Sequence, residues 1–134
     1  MAQQAKGEFD VNRTPAPALD GGVGTVIGHN RFDKRFHGPL DATSVVQMLM
    51  VGTEVPGSAA YVAIERIAGT LDGRGGSFHL QHNGTMARGA ASLSVTVVPD
   101  SGTGALAGLS GHMAIDIVDG KHFYTFDYVL DALE

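Results

Sequence analysis

The sequence predicts an all-β protein, a single closed antiparallel eight-stranded β-barrel spanning residues 1–134. Three observations carry this reading. Glycine occurs 19 times in 134 residues, about twice its usual share, which points to many tight turns. Turn chemistry separates eight segments that can each carry a strand. No stretch makes a good helix: Thr43–Val51 is rich in Val and Met, but it has no capping box and no clear 3.6-residue period, so it reads as strand.

The segments follow in order. Lys6–Thr14 is closed by Pro15 and Pro17, and the run Ala16–Gly22 suits an irregular connection or an exposed flap. Val23–His37 ends at Gly38-Pro39, and Leu40–Val55 ends at Pro56-Gly57. Ala60–Leu71 and Ser77–Met86 flank Asp72-Gly73, a strong short-range hairpin signal. Ala91–Val98 runs into the turn-rich stretch Pro99–Gly104. Leu106–Val118 and Lys121–Leu130 flank a second compact turn, Asp119-Gly120. Sequential strands joined by short turns suggest an up-and-down meander whose closure removes both edges. A two-sheet sandwich is the competing architecture.

Composition excludes several classes. Hydrophobic residues make up 43% and charged residues 17%, a globular rather than a disordered balance. Nine basic against fourteen acidic side chains leave a charge of −5, with no basic cluster to track a phosphate backbone, so no nucleic acid partner is expected. There is no cysteine, hence no disulfide, thiolate nucleophile or Cys-ligated metal. No signal-peptide core and no run of 18 apolar residues is seen, so the expectation is a cytoplasmic protein with no membrane segment.

Long stretches resemble a known family. Phe36-His37-Gly38, Ser58–Arg66, Gly73–Phe78, Leu80-Gln81-His82, Leu93–Gly104 and Leu106–Gly111 are similar to the DUF3224 proteins of unknown function, and the likeness runs from about residue 5 to residue 130. The resemblance implies an eight-stranded barrel similar to that of allene oxide cyclases, which shape a reactive hydrophobic substrate without a cofactor. It does not imply cyclase activity, because a fold hosts many functions.

Glu65 is the first catalytic candidate. Strand alternation puts Tyr61, Ala63, Glu65 and Ile67 on one face. If that face points inward, desolvation would raise the Glu65 pKa and suit it to acid–base work near neutral pH; otherwise it faces out or pairs with an arginine. His82 is the second. It shares a face with Phe78 and Leu80, whereas His79 goes with Gln81 and Asn83, so the two histidines cannot ligate one metal from a regular strand. Six histidines lack the spacing of a cupin site, and no metal or other cofactor is expected. Val46, Met48 and Met50 with Phe32 and Phe36 are read as cavity lining or core. Tyr61, Tyr124 and Tyr128 could orient a ligand through their hydroxyls, and Gln81 could contact it. Alternatively, Tyr124, Phe126 and Tyr128 form an outer aromatic stripe against a neighbouring subunit, in keeping with an expected homo-oligomer. The functional expectation is a binder of a small hydrophobic molecule. The alternative is a cofactor-independent isomerase, cyclase or lyase using Glu65 or His82.

Overall fold

The computed structural model describes residues 2–22 and 25–130. Eight antiparallel strands close into a barrel in sequence order: β1 (Ala2–Gly22), β2 (Thr25–Phe36), β3 (Leu40–Gly52), β4 (Ala59–Leu71), β5 (Arg74–Ala87), β6 (Ala90–Val97), β7 (Ser110–Val118) and β8 (Lys121–Val129). The expected barrel is therefore present, as a meander in which β1 also pairs with β8.

Each hairpin follows from its turn residues. Asp72-Gly73 and Asp119-Gly120 have positive φ at both positions, and they join Leu71 to Arg74 and Val118 to Lys121 as two-residue loops. That is the geometry whose twist matches the flanking strands. Arg88-Gly89 makes a third such turn between β5 and β6.

Several strand boundaries differ from the sequence reading. Strand β1 begins at Ala2 and continues through the segment read as a flap. Pro15 pairs with Asn30 and Ala16 with His29, and after a register shift Asp20 pairs with Ile27. Proline terminates a ladder only where its missing N–H is needed, and a bulged stretch tolerates it. Val23, read as the start of the second strand, lies outside the described residues. The seventh strand starts at Ser110, because Gly104–Leu106 forms a 3-10 turn instead.

That turn belongs to a plug. Thr103 N–H donates to Ser77 O at 2.8 Å, and Leu106 and Leu109 bury themselves under the barrel. Above them sit Phe36, Phe78, Phe126 and Tyr128. Phe78 and Phe126 stack at 5.7 Å, and Phe36 meets Tyr124 edge-on at 5.6 Å; each buried aromatic side chain contributes about 1.5–3 kcal/mol. Tyr124, Phe126 and Tyr128 thus face inward, and the outer aromatic stripe is not formed. Large apolar side chains on the outer surface are instead aliphatic, among them Leu49, Val62 and Ile64. One end of the barrel is packed solid, and the site lies toward the other.

Candidate functional site

Four neighbouring strands bring four polar side chains together inside the barrel. Register explains how. Lys34 on β2 lies directly across from Ser44 on β3. Ser44 pairs with Ile67 of β4, which places Glu65 on the adjoining diagonal. His82 of β5 pairs with Ala63, putting it on the diagonal on Glu65's other side. Diagonal neighbours in a sheet are within reach of long side chains.

Glu65 is the hub, 0% exposed. Its Oε1 lies 2.7 Å from His82 Nε2 and 3.3 Å from Lys34 Nζ, and its Oε2 accepts from Ser44 Oγ at 2.6 Å. The Lys34 and His82 side chains are 8% and 5% exposed. Lys34 Nζ also lies 4.8 Å from the centre of the Phe9 ring, a cation–π contact strengthened by desolvation.

The sequence reading had Glu65 raised by burial, and the structure corrects it. Burial does push the carboxyl up, but the His82 hydrogen bond, the Lys34 ammonium, the charge that His82 carries when it is protonated and the Ser44 hydroxyl outweigh it, holding Glu65 below its ordinary value. An isolated buried carboxylate would neutralise; one with three donors stays ionised. Being ionised, it only accepts, so His82 carries the proton on Nε2. Among the described residues His82 Nδ1 has no hydrogen-bond partner. Since no buried polar side-chain atom is left unpaired there, Nδ1 is open to the cavity that His82 lines.

That cavity measures about 160 Å³. Phe9, Val11, Phe32, Val46 and Ile115 supply apolar walls, Met48, Tyr61 and His122 complete them, and Lys34 and His82 are its innermost polar groups. Burial pushes the Tyr61 hydroxyl pKa up, so that group remains a protonated donor at neutral pH.

The sequence candidates are thereby separated. Glu65, His82, Tyr61 and Met48 gather at the cavity or immediately behind it. Phe36 and Tyr124 lie in the packed end, where the Tyr124 hydroxyl donates to His37 O at 2.7 Å and accepts from Leu40 N–H at 3.1 Å; it pins a turn. Gln81 is on the outer face, in a shallow groove of about 680 Å³ with Leu49, Val62 and Ile64. That groove is larger than the cavity, but its side chains are mostly exposed and none is a buried polar group.

Sequence reasoning missed Lys34 and Ser44. The signal was available: Lys34 shares parity with Phe32 and Phe36, and Ser44 with Val46 and Met48, all assigned to the interior. A lysine is so seldom buried that parity alone did not promote it. Among the described residues, no three His, Cys, Asp or Glu side chains group as a metal set, and no helix is long and apolar enough to cross a membrane.

The comparisons with known proteins agree with the architecture. A family model described as "Protein of unknown function (DUF3224)" matches residues 5–128. A crystal structure at 1.84 Å of a DUF3224 protein of unknown function from Shewanella oneidensis MR-1 is 47% identical, with a TM-score of 0.93, covering 98% of this chain and 100% of that one. No curated protein matches. On a family match spanning almost its whole length, this chain belongs to the DUF3224 family.

Proposed function

We propose that the barrel binds one small, mostly apolar molecule in the cavity, with its single polar group turned toward Lys34 and His82. The observation that supports it is a mostly apolar cavity of about 160 Å³ in which Lys34 and His82 are the deeply buried polar side chains. Size decides the ligand class. A cavity of roughly 150 Å³ accepts benzene, whereas drug-sized ligands need about 300 Å³ or more. One ring with a short substituent fits, and a long lipid chain does not.

Methyl-labelled protein titrated with toluene and with benzoate tests this by NMR. The methyl groups of Val46, which line the cavity but not the outer groove, should shift together with those of Met48 and Ile115, with benzoate the tighter ligand because its carboxylate meets the Lys34 ammonium. Shifts confined to Val62 and Ile64 would move the site to the outer groove, and no shift at saturating ligand would refute the reading.

A further inference from the structure

The cluster behind the cavity is arranged in a way that plain retention of a ligand does not require. A carboxylate and an imidazole share a short hydrogen bond, with Glu65 Oε1 and His82 Nε2 2.7 Å apart, and the imidazole's other nitrogen opens on the cavity. The same carboxylate oxygen holds Lys34 at 3.3 Å, so the ammonium and the imidazole are neighbours on one side of the chamber. An ammonium has three N–H donors, and among the described residues Lys34 Nζ has one hydrogen-bonding partner, Glu65. Its remaining N–H groups and His82 Nδ1 are an unused donor set beside an unused acceptor.

We infer that this barrel catalyses proton transfer at a carbon next to a carbonyl group, with His82 as the base, Lys34 as the group that stabilises the enolate oxygen, and Glu65 as a positioning residue. The substrate class is a small enolisable ketone or aldehyde with an apolar body. The inference rests on the cavity being the binding site.

In the step, the carbonyl oxygen accepts a hydrogen bond from Lys34 Nζ. His82 Nδ1 takes a proton from the α-carbon. The electron pair of the broken C–H bond forms a carbon–carbon double bond while the carbonyl π pair moves onto oxygen. The enolate charge then lies against Lys34, and the imidazolium lies against Glu65, so each new charge meets a fixed opposite one. Returning the proton to the same carbon regenerates the ketone, and returning it to a conjugated carbon isomerises the substrate. No oxidant or reductant takes part. Glu65 also fixes the tautomer, because an ionised carboxylate beside Nε2 keeps the proton there and leaves Nδ1 basic. The Lys34, Glu65 and His82 side chains are themselves buried, so bulk water does little to weaken the charge contacts between them.

Acetophenone in D2O tests the step without knowledge of the natural substrate, since exchange of its methyl protons for deuterium reports enolisation by NMR. At about pH 8 the wild-type protein should exchange these protons well above the rate in buffer. His82→Gln, which keeps a donor toward Glu65, should slow exchange by about 100-fold or more, and Lys34→Gln by a similar factor, while both variants still show acetophenone-induced shifts at Met48 and Ile115. Benzoate should suppress wild-type exchange in proportion to its displacement of acetophenone, a control that needs no variant to fold. Acetophenone that shifts these methyls without exchanging its protons overturns the catalytic inference and leaves the binding reading standing. Exchange that persists under saturating benzoate overturns it as well. An acetophenone that shifts neither methyl removes both.

Discussion

Glu65 shows how three partners reverse the effect of burial on one residue. A buried pair or cluster adds little to net stability, but removing one member strands the others. Glu65→Ala leaves Lys34 and His82 buried together without their counter-charge, so a loss of about 3–5 kcal/mol is expected in urea unfolding; a loss near zero would mean that the cluster is not held as described. The pH dependence has a definite sign. The Glu65 pKa is lower in the folded than in the unfolded chain, so its contribution is complete above the ordinary carboxylate value of about 4.3 and disappears as pH falls through the lower folded value. The groups facing it are Lys34 from β2, Ser44 from β3 and His82 from β5. The melting temperature should therefore drop on the acid side of about pH 4, and Glu65→Gln should flatten that limb. An equally steep limb in the variant would assign acid unfolding to other carboxylates.

Within an element, the pairing of β4 with β5 sets the shape of the cavity mouth. Tyr61 lies across from Gly84, and its ring covers the glycine so closely that an added Cβ would stand 2.3 Å from Tyr61 Cε1. Glycine here is a matter of space: Gly84 is absent from the residues of positive φ, so the backbone itself would accept alanine. Gly84→Ala should displace the Tyr61 ring and weaken binding of cavity ligands by about tenfold, with a stability cost of about 1–3 kcal/mol from overpacking. Unchanged ligand affinity in a folded Gly84→Ala variant would show that Tyr61 does not shape the entrance. The same strand pair carries Ala63 opposite His82, a small residue beside the side chain that must reach Glu65.

The barrel as a whole is unevenly sealed. Most neighbouring strands share long ladders, but β6 and β7 have one register pair among the described residues, Thr96 with His112. Toward the open end the two strands diverge around a cleft of about 490 Å³ between Leu93–Thr96 and His112–Ile115. Backbone amides facing each other across this seam lack ladder partners, and local opening follows unprotected hydrogen bonds. Hydrogen exchange should therefore be fastest, within the strands, at the facing amides of β6 and β7, and slowest in β3 and β4. Equal protection across all eight strands would mean that the seam is closed in solution.

Legibility from sequence varied with the range of the interaction. The strand count, the two Asp-Gly hairpins and the shared face of Tyr61, Ala63 and Glu65 are local properties, set by turn chemistry and a two-residue period, and they could be read directly. Parity even carried Lys34 and Ser44 to the correct face, although neither was recognised as part of the site. Three things were decided only by tertiary structure. Barrel closure chose which face of each strand is inside, turning Tyr124, Phe126 and Tyr128 inward and Gln81 outward. The 98–109 segment filled one end, so Phe36 and Tyr124 became packing and the cavity was left toward the other. The Glu65 charge followed from donors 17 to 31 residues away in sequence, because a pKa responds to neighbours in space, and no local pattern specifies which strands meet across a barrel.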